Sequence, residues 1–254
     1  MTDLIAVSVI GGGLSAGMLW WSHQRRAAGP TWTLHEAFIA LVMMLWGSSM
    51  GSLVFMRAAG GTWLSDSSGS ILPAILGSGV GGLLTVLFVY LRAPWSALGL
   101  VRCELSWILR AAAWVFGFLG VSLSWGLLLE GIGVESQQGI TAMFLARWPS
   151  TEALLMVGYA VVVAPLVEEL LFRGFLLPPL VVRFGSRGGV ALTAILFGMM
   201  HISDPQAVPP LIVLGAVLGW LRLRSGSLWP ALALHVGNNA VAFLLLLLSL
   251  SLEA

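Results

Sequence analysis

Charge is what this chain lacks most. Only 9% of its 254 residues are charged, 58% are hydrophobic, and mean hydropathy is +0.97. A soluble protein carries about 25% charged residues, so an ordinary soluble domain is excluded and a polytopic membrane protein is implied. Lysine is missing altogether: all twelve basic residues are Arg. The net charge of +1 gives no sign of a nucleic-acid partner, and none is expected. The single cysteine, Cys103, excludes an intrachain disulfide and any Cys-based metal site. No HExxH occurs, which excludes a zincin-type helix. No basic stretch precedes the first apolar run; the first charge is Asp3, and Arg25 and Arg26 follow the run. By pattern, then, there is no cleavable signal peptide, and the first helix is expected to stay in the bilayer.

What the chain has instead is long apolar runs. Runs of about 18 or more residues read as spans, and eight are expected: 4–21, 34–56, 71–91, 107–129, 153–177, 188–202, 206–221 and 228–250. The fold class is therefore all-α, a membrane helix bundle forming one transmembrane domain. Pro165, and the pair Pro178 and Pro179, should kink or end the fifth span. Most of the twelve Trp residues fall near span ends, as interfacial anchors do. Gly47 and Gly51, and Gly215 and Gly219, have the spacing that lets helices approach closely. Residues 94–107 read either as an interfacial amphipathic segment or as a loop. The longest outside connections are 60–69 and 131–150.

The arginines test the span count. Odd-numbered connections hold Arg25, Arg26, Arg92, Arg102, Arg183, Arg187, Arg222 and Arg224, whereas even-numbered ones hold only Arg57 and Arg147. Most acidic residues lie on the opposite side, with Glu36 and Glu104 as exceptions. The positive-inside rule then puts the Arg-rich connections in the cytoplasm and both termini outside. A bacterial inner (plasma) membrane is the expected location.

One run is not purely apolar. Residues 161–177 read VVVAPLVEELLFRGFLL and hold Glu168, Glu169 and Arg173. Each charge costs about 2.5–3.5 kcal/mol at a helix centre, so three in one span need partners or a purpose. Glu169 and Arg173 are four apart and share a helix face. Glu168 lies about 100° round the helix. Arg173 is therefore expected to lock Glu169, leaving Glu168 available.

Partners for Glu168 come from two other runs. His201 ends FGMMH, four residues after Phe197, which could buttress its ring; His235 opens HVGNN, with Asn239 four residues on and Asn238 three. His23 and His35 flank spans and read as ordinary interfacial residues. At 1.5 Å per residue, Glu168 lies about 22 Å from Arg183, His201 about 21 Å from Arg187, and His235 and Asn239 about 16 and 22 Å from Arg224. Three helices thus place polar groups in one membrane layer. A carboxylate in a dry pocket suits general acid–base work, a neutral His can share its proton or orient water, and an Asn amide is an oxyanion donor. Glu168, His201 and His235 also match a catalytic zinc set, so zinc or no metal at all are both open.

EELLFR, FGMMH and HVGNN resemble the EExxxR, FxxxH and HxxxN motifs of the CAAX-protease and bacteriocin-processing (CPBP, or Abi) family of intramembrane proteases. The resemblance covers residues 161–241, within a core at 153–250; residues 1–152 carry no motif. It implies an intramembrane endopeptidase acting on a membrane-anchored protein or peptide: a CAAX-like end, a leader peptide or a C-terminal sorting signal. It implies that Glu168 activates water with His201, that His235 and Asn239, rather than Asn238, hold the oxyanion, and that Glu169, Arg173 and Phe197 support the site. Glutamate-type and metallo-type mechanisms both stay open. Two readings from other classes compete: a non-catalytic membrane immunity or scaffold partner using the same polar cluster, and a small transporter, against which stands the lack of an inverted repeat. Oligomeric state is not legible in the sequence.

Overall fold

The computed structural model describes residues 32–58, 71–134 and 143–253. The expected first span, the N-terminal orientation that depends on it, and connection 60–69 lie outside the described residues. Every regular element among those described is helical. Six helical runs are long and apolar enough to cross a membrane, and the chain is an integral membrane protein. The count of eight is not confirmed, because the expected first span lies outside the described residues. The expected fifth and sixth spans fall within one run, Thr151–Met199, that consists of two helical segments joined at a kink. That run is broken at Gly185, whose φ of 73° lies in the left-handed region that favours glycine. A Cβ on Gly189 would sit 2.8 Å from the Val181 backbone nitrogen. Eight residues of straight helix would separate them by about 12 Å, so the chain folds back on itself at Gly185.

The chain divides into two compact units, Met1–Ala97 and Leu98–Ala254. In the first, α1 (Leu34–Ala58) lies against α2 (Leu72–Arg92). The expected close approach occurs at glycines on both sides: a Cβ on Gly47 would be 2.9 Å from Gly81 Cα, and one on Gly51 would be 2.9 Å from Gly77 Cα. Thr85 Oγ1 donates to the Gly81 carbonyl at 2.8 Å, and Arg92 pairs with Glu36 at 3.6 Å.

The second unit holds α3 (Leu105–Gly131), α4 (Thr151–Gly158), α5 (Ala164–Glu169), α6 (Leu177–Met199), α7 (Val208–Ser225) and α8 (Trp229–Glu253). Ser150 caps α4 by accepting the Ala153 amide at 3.2 Å. Two π-helical stretches, Tyr159–Val163 and Leu170–Leu176, join α4 to α5 and α5 to α6. Pro165 falls in the first turn of α5, and Pro178 and Pro179 in that of α6. The sequence allows a kink or an end at these prolines; the helical run continues past all three, so none of them ends it. A proline has no N–H to donate to the preceding turn, and the wider π turn before each one shifts the ladder to accommodate it.

Residues 98–104 are a loop, one of the two alternatives that the sequence leaves open. The Gly99 carbonyl accepts from the Leu228 amide at 2.7 Å, and Val101 accepts from Ser227 Oγ at 2.7 Å. At the opposite end of α3, the Trp125 indole donates to the Gln206 carbonyl at 2.8 Å. The start of α3 therefore sits beside the 225–228 turn and its far end beside the 200–207 turn.

Candidate functional site

Glu169 and Arg173 pair as their spacing predicts. Arg173 Nη1 donates to Glu169 Oε1 at 2.8 Å, and both side chains are fully buried. Arg173 Nη2 reaches across to the Gly215 carbonyl in α7 at 3.1 Å. That reach depends on a close helix crossing, since a Cβ on Gly215 would lie 2.9 Å from Ala194 Cα. The guanidinium also stands 4.4 Å from the centroid of the Phe197 ring, a cation–π contact within the usual limit.

The sequence spacing does not reveal a second task for Glu169. Its Oε1 also meets His235 Nδ1, at 2.9 Å. A carboxylate paired with arginine only accepts, so Nδ1 carries the hydrogen. His235 Nε2 is then the nitrogen left to act, and it lies 3.7 Å from Glu168 Oε2. The Glu168 side chain is 22% exposed, unlike its fully buried neighbour. One carboxylate is consumed by structure and the other remains accessible, as expected. Nothing in the i, i+4 pattern could have found the link from Glu169 to His235, because it joins residues 66 apart.

Phe197 is the hub of the ring contacts. Its centroid lies 5.5 Å from those of His201 and His235 and 5.4 Å from that of Phe172. The sequence reading gave it His201 alone. His201 lies in the turn just beyond the end of α6, not within the helix. Its Nδ1 meets the Phe197 carbonyl at 3.1 Å. A carbonyl only accepts, so here too Nδ1 carries the hydrogen and Nε2 is free to accept one. No ion pair joins His201 to Glu168 among the described residues; the structure gathers Glu168, Glu169, Arg173 and His235 by direct polar contact, and His201 through Phe197.

Asn239 faces the first π turn. Its Nδ2 donates to the Ala160 carbonyl at 2.8 Å, and its Oδ1 accepts from Asn238 Nδ2 at 3.2 Å. The Ala164 amide bonds Tyr159, five residues back. In that register the partner of Ala160 would be residue 165, a proline without an N–H. Asn239 supplies the donor that Pro165 lacks, and its second amide hydrogen remains for other work.

Among the described residues no group of three or more His, Cys, Asp or Glu side chains is placed to hold a metal ion. The zinc set of Glu168, His201 and His235 is not gathered in this arrangement.

No curated protein and no solved structure matches the chain. Residues 150–241 match the model of the family described as Rce1-like, type II CAAX prenyl endopeptidase. That segment contains both π turns, the Glu169–Arg173 pair, His201, His235 and Asn239. Over those residues the chain is similar to the Rce1-like type II CAAX prenyl endopeptidases, in agreement with the CPBP resemblance carried by its three motifs.

Proposed function

We propose that this protein is an intramembrane endopeptidase that hydrolyses a peptide bond of a membrane-anchored protein or peptide. Glu168 takes a proton from water, assisted by His201 through its bare Nε2. The resulting hydroxide attacks the scissile carbonyl carbon. The charge that develops on the carbonyl oxygen is met by His235 and the second amide hydrogen of Asn239. Because His235 Nδ1 is committed to Glu169, it can donate through Nε2 only as the imidazolium, whose charge Glu168 and Glu169 offset. The proton on Glu168 then passes to the leaving amine as the C–N bond breaks. Glu169, Arg173 and Phe197 hold the His235 ring in place.

The observation that carries this reading is the division between adjacent carboxylates: Glu169 is buried and tied to Arg173, while Glu168 is partly exposed and faces His235 Nε2. Adjacent helix positions face different ways, and here the accessible carboxylate is the one that faces the imidazole nitrogen left to act. The Arg-rich connections are placed in the cytoplasm. In support, the loop bearing Arg102 is hydrogen-bonded to the turn that follows Arg222 and Arg224. With that placement a bacterial plasma membrane is the proposed location, with both termini outside the cytoplasm.

The test reconstitutes the full chain in liposomes with three anchored reporters: a prenylated CAAX peptide, a leader peptide and a C-terminal sorting signal. Cleavage of at least one is expected from the wild type and none from Glu168→Ala inserted to the same level. Cleavage by that variant at the wild-type rate would sink the proposal.

A further inference from the structure

Helix α3 carries no recognised motif and lies outside residues 150–241, yet it touches both histidine-bearing elements. At its far end the Trp125 indole donates to the Gln206 carbonyl at 2.8 Å. Gln206 closes the run of turns that begins at His201: the Asp204 amide bonds the His201 carbonyl at 2.8 Å, and the Ala207 amide bonds that of Asp204 at 3.0 Å. The turn is hydrogen-bonded within itself and tied to α3 by the Trp125 bond. Nearer its middle, α3 sets Val115 against Gly237 of α8. A Cβ on Gly237 would stand 3.0 Å from Val115 Cγ2, tighter than ordinary van der Waals contact. Gly237 lies midway between His235 and Asn239.

We propose that α3 is a positioning element of the active site, with Trp125 fixing the His201 turn and the Val115–Gly237 contact fixing the depth at which α8 presents His235 and Asn239. The inference rests on the endopeptidase reading for its catalytic meaning, but its geometry does not. An interfacial tryptophan needs only lipid to satisfy its amphipathic ring; Trp125 spends its single donor on a backbone carbonyl of the turn carrying His201. Trp125→Phe keeps an aromatic, apolar side chain and deletes that donor together with part of the ring area. The two contacts act on different histidines, so they can be tested separately.

Two measurements on the full-length protein in nanodiscs decide it. The first is amide hydrogen exchange, which needs no substrate. Trp125→Phe is expected to speed exchange at least several-fold across residues 200–207 and to leave residues 229–241 unchanged. Unchanged exchange at 200–207 overturns the proposal. The second is cleavage of the reporter that the wild type cuts. Trp125→Phe is expected to lower kcat several-fold at nearly constant KM and to add nothing in a His201→Ala background. Full additivity there, or an unchanged kcat, overturns it. Gly237→Ala is expected to lower kcat, and the added Val115→Ala to restore most of it, because the second change removes the methyl group in the way. A double variant no better than the single overturns the Val115 part. If the wild type cuts none of the three reporters, the endopeptidase reading fails, while the exchange measurement still decides whether Trp125 holds the turn.

Discussion

His235 Nδ1 and Glu169 Oε1 stand 2.9 Å apart, and that same carboxylate oxygen takes a hydrogen bond from Arg173 at 2.8 Å. One buried oxygen thus ties the charge lock of one helix to the imidazole of another. The arrangement fixes the ring's tautomer and orientation together, which is what a carboxylate behind a working histidine does. It also explains why two glutamates are adjacent. Successive residues on a helix point about 100° apart, so Glu169 can face inward to Arg173 and His235 while Glu168 faces the accessible side of the same ring.

Removing that oxygen should damage fold and function together. Glu169→Ala leaves Arg173 buried without its counter-charge, and breaking a buried pair costs about 3–5 kcal/mol. The expected result is poor accumulation and a lowered melting temperature in detergent. Normal levels with wild-type melting would refute the lock. Replacing both partners, as Glu169→Leu with Arg173→Leu, should recover much of the stability, since apolar substitutes for a buried pair are often neutral. It should not recover cleavage, because His235 loses its anchor.

The crossing of α6 and α7 should be equally intolerant. Gly215→Ala places a methyl 2.9 Å from Ala194 Cα and pushes away the carbonyl that accepts from Arg173. Overpacking of this kind costs about 1–3 kcal/mol. A melting curve in detergent would show the loss, and a wild-type curve would contradict the tight crossing.

The membrane class, the Glu169–Arg173 lock and the contribution of Phe197 were legible because each follows from a local rule: apolar run length, i, i+4 spacing, i, i+4 again. The glycine contacts were legible for the same reason, though the partners, Gly81, Gly77 and Ala194, were not. Local rules did not resolve the changes of helical register within the expected fifth span. Pro165, Pro178 and Pro179 marked such a change, but a proline in an apolar run is consistent with a stop, a kink or a π turn alike. The links from Glu169 to His235, from Asn239 to Ala160 and from Trp125 to Gln206 span 66, 79 and 81 residues. Long-range pairs of this kind depend on how helices cross, which periodicity does not encode.

Glu168 is the group on which chemistry should depend. Glu168→Gln keeps the size and polarity of the side chain but cannot take up a proton. General-base catalysis contributes about 10²–10⁴-fold, so cleavage should fall by at least about two orders of magnitude with insertion and melting unchanged. Retained cleavage would move the base elsewhere. Since the three candidate zinc ligands are not gathered, wild-type cleavage should also survive exhaustive chelation, with no zinc by elemental analysis; loss on chelation and recovery on adding zinc would favour the metallo-type mechanism.

Asn239 is expected to show two separable roles. Asn239→Ala removes both the proposed oxyanion donor and the cap on the Ala160 carbonyl. A buried acceptor left without its donor costs about 1–3 kcal/mol. Pro165→Ala supplies a backbone N–H in the position from which the π register would satisfy that same carbonyl. In the double variant the stability lost by Asn239→Ala should therefore largely return, as read by melting temperature, while cleavage stays low because the side-chain amide is still missing. If Pro165→Ala fails to offset the loss, the carbonyl that Asn239 caps is not the one Pro165 leaves open. If cleavage returns along with stability, Asn239 serves the π turn alone, and the oxyanion rests on His235.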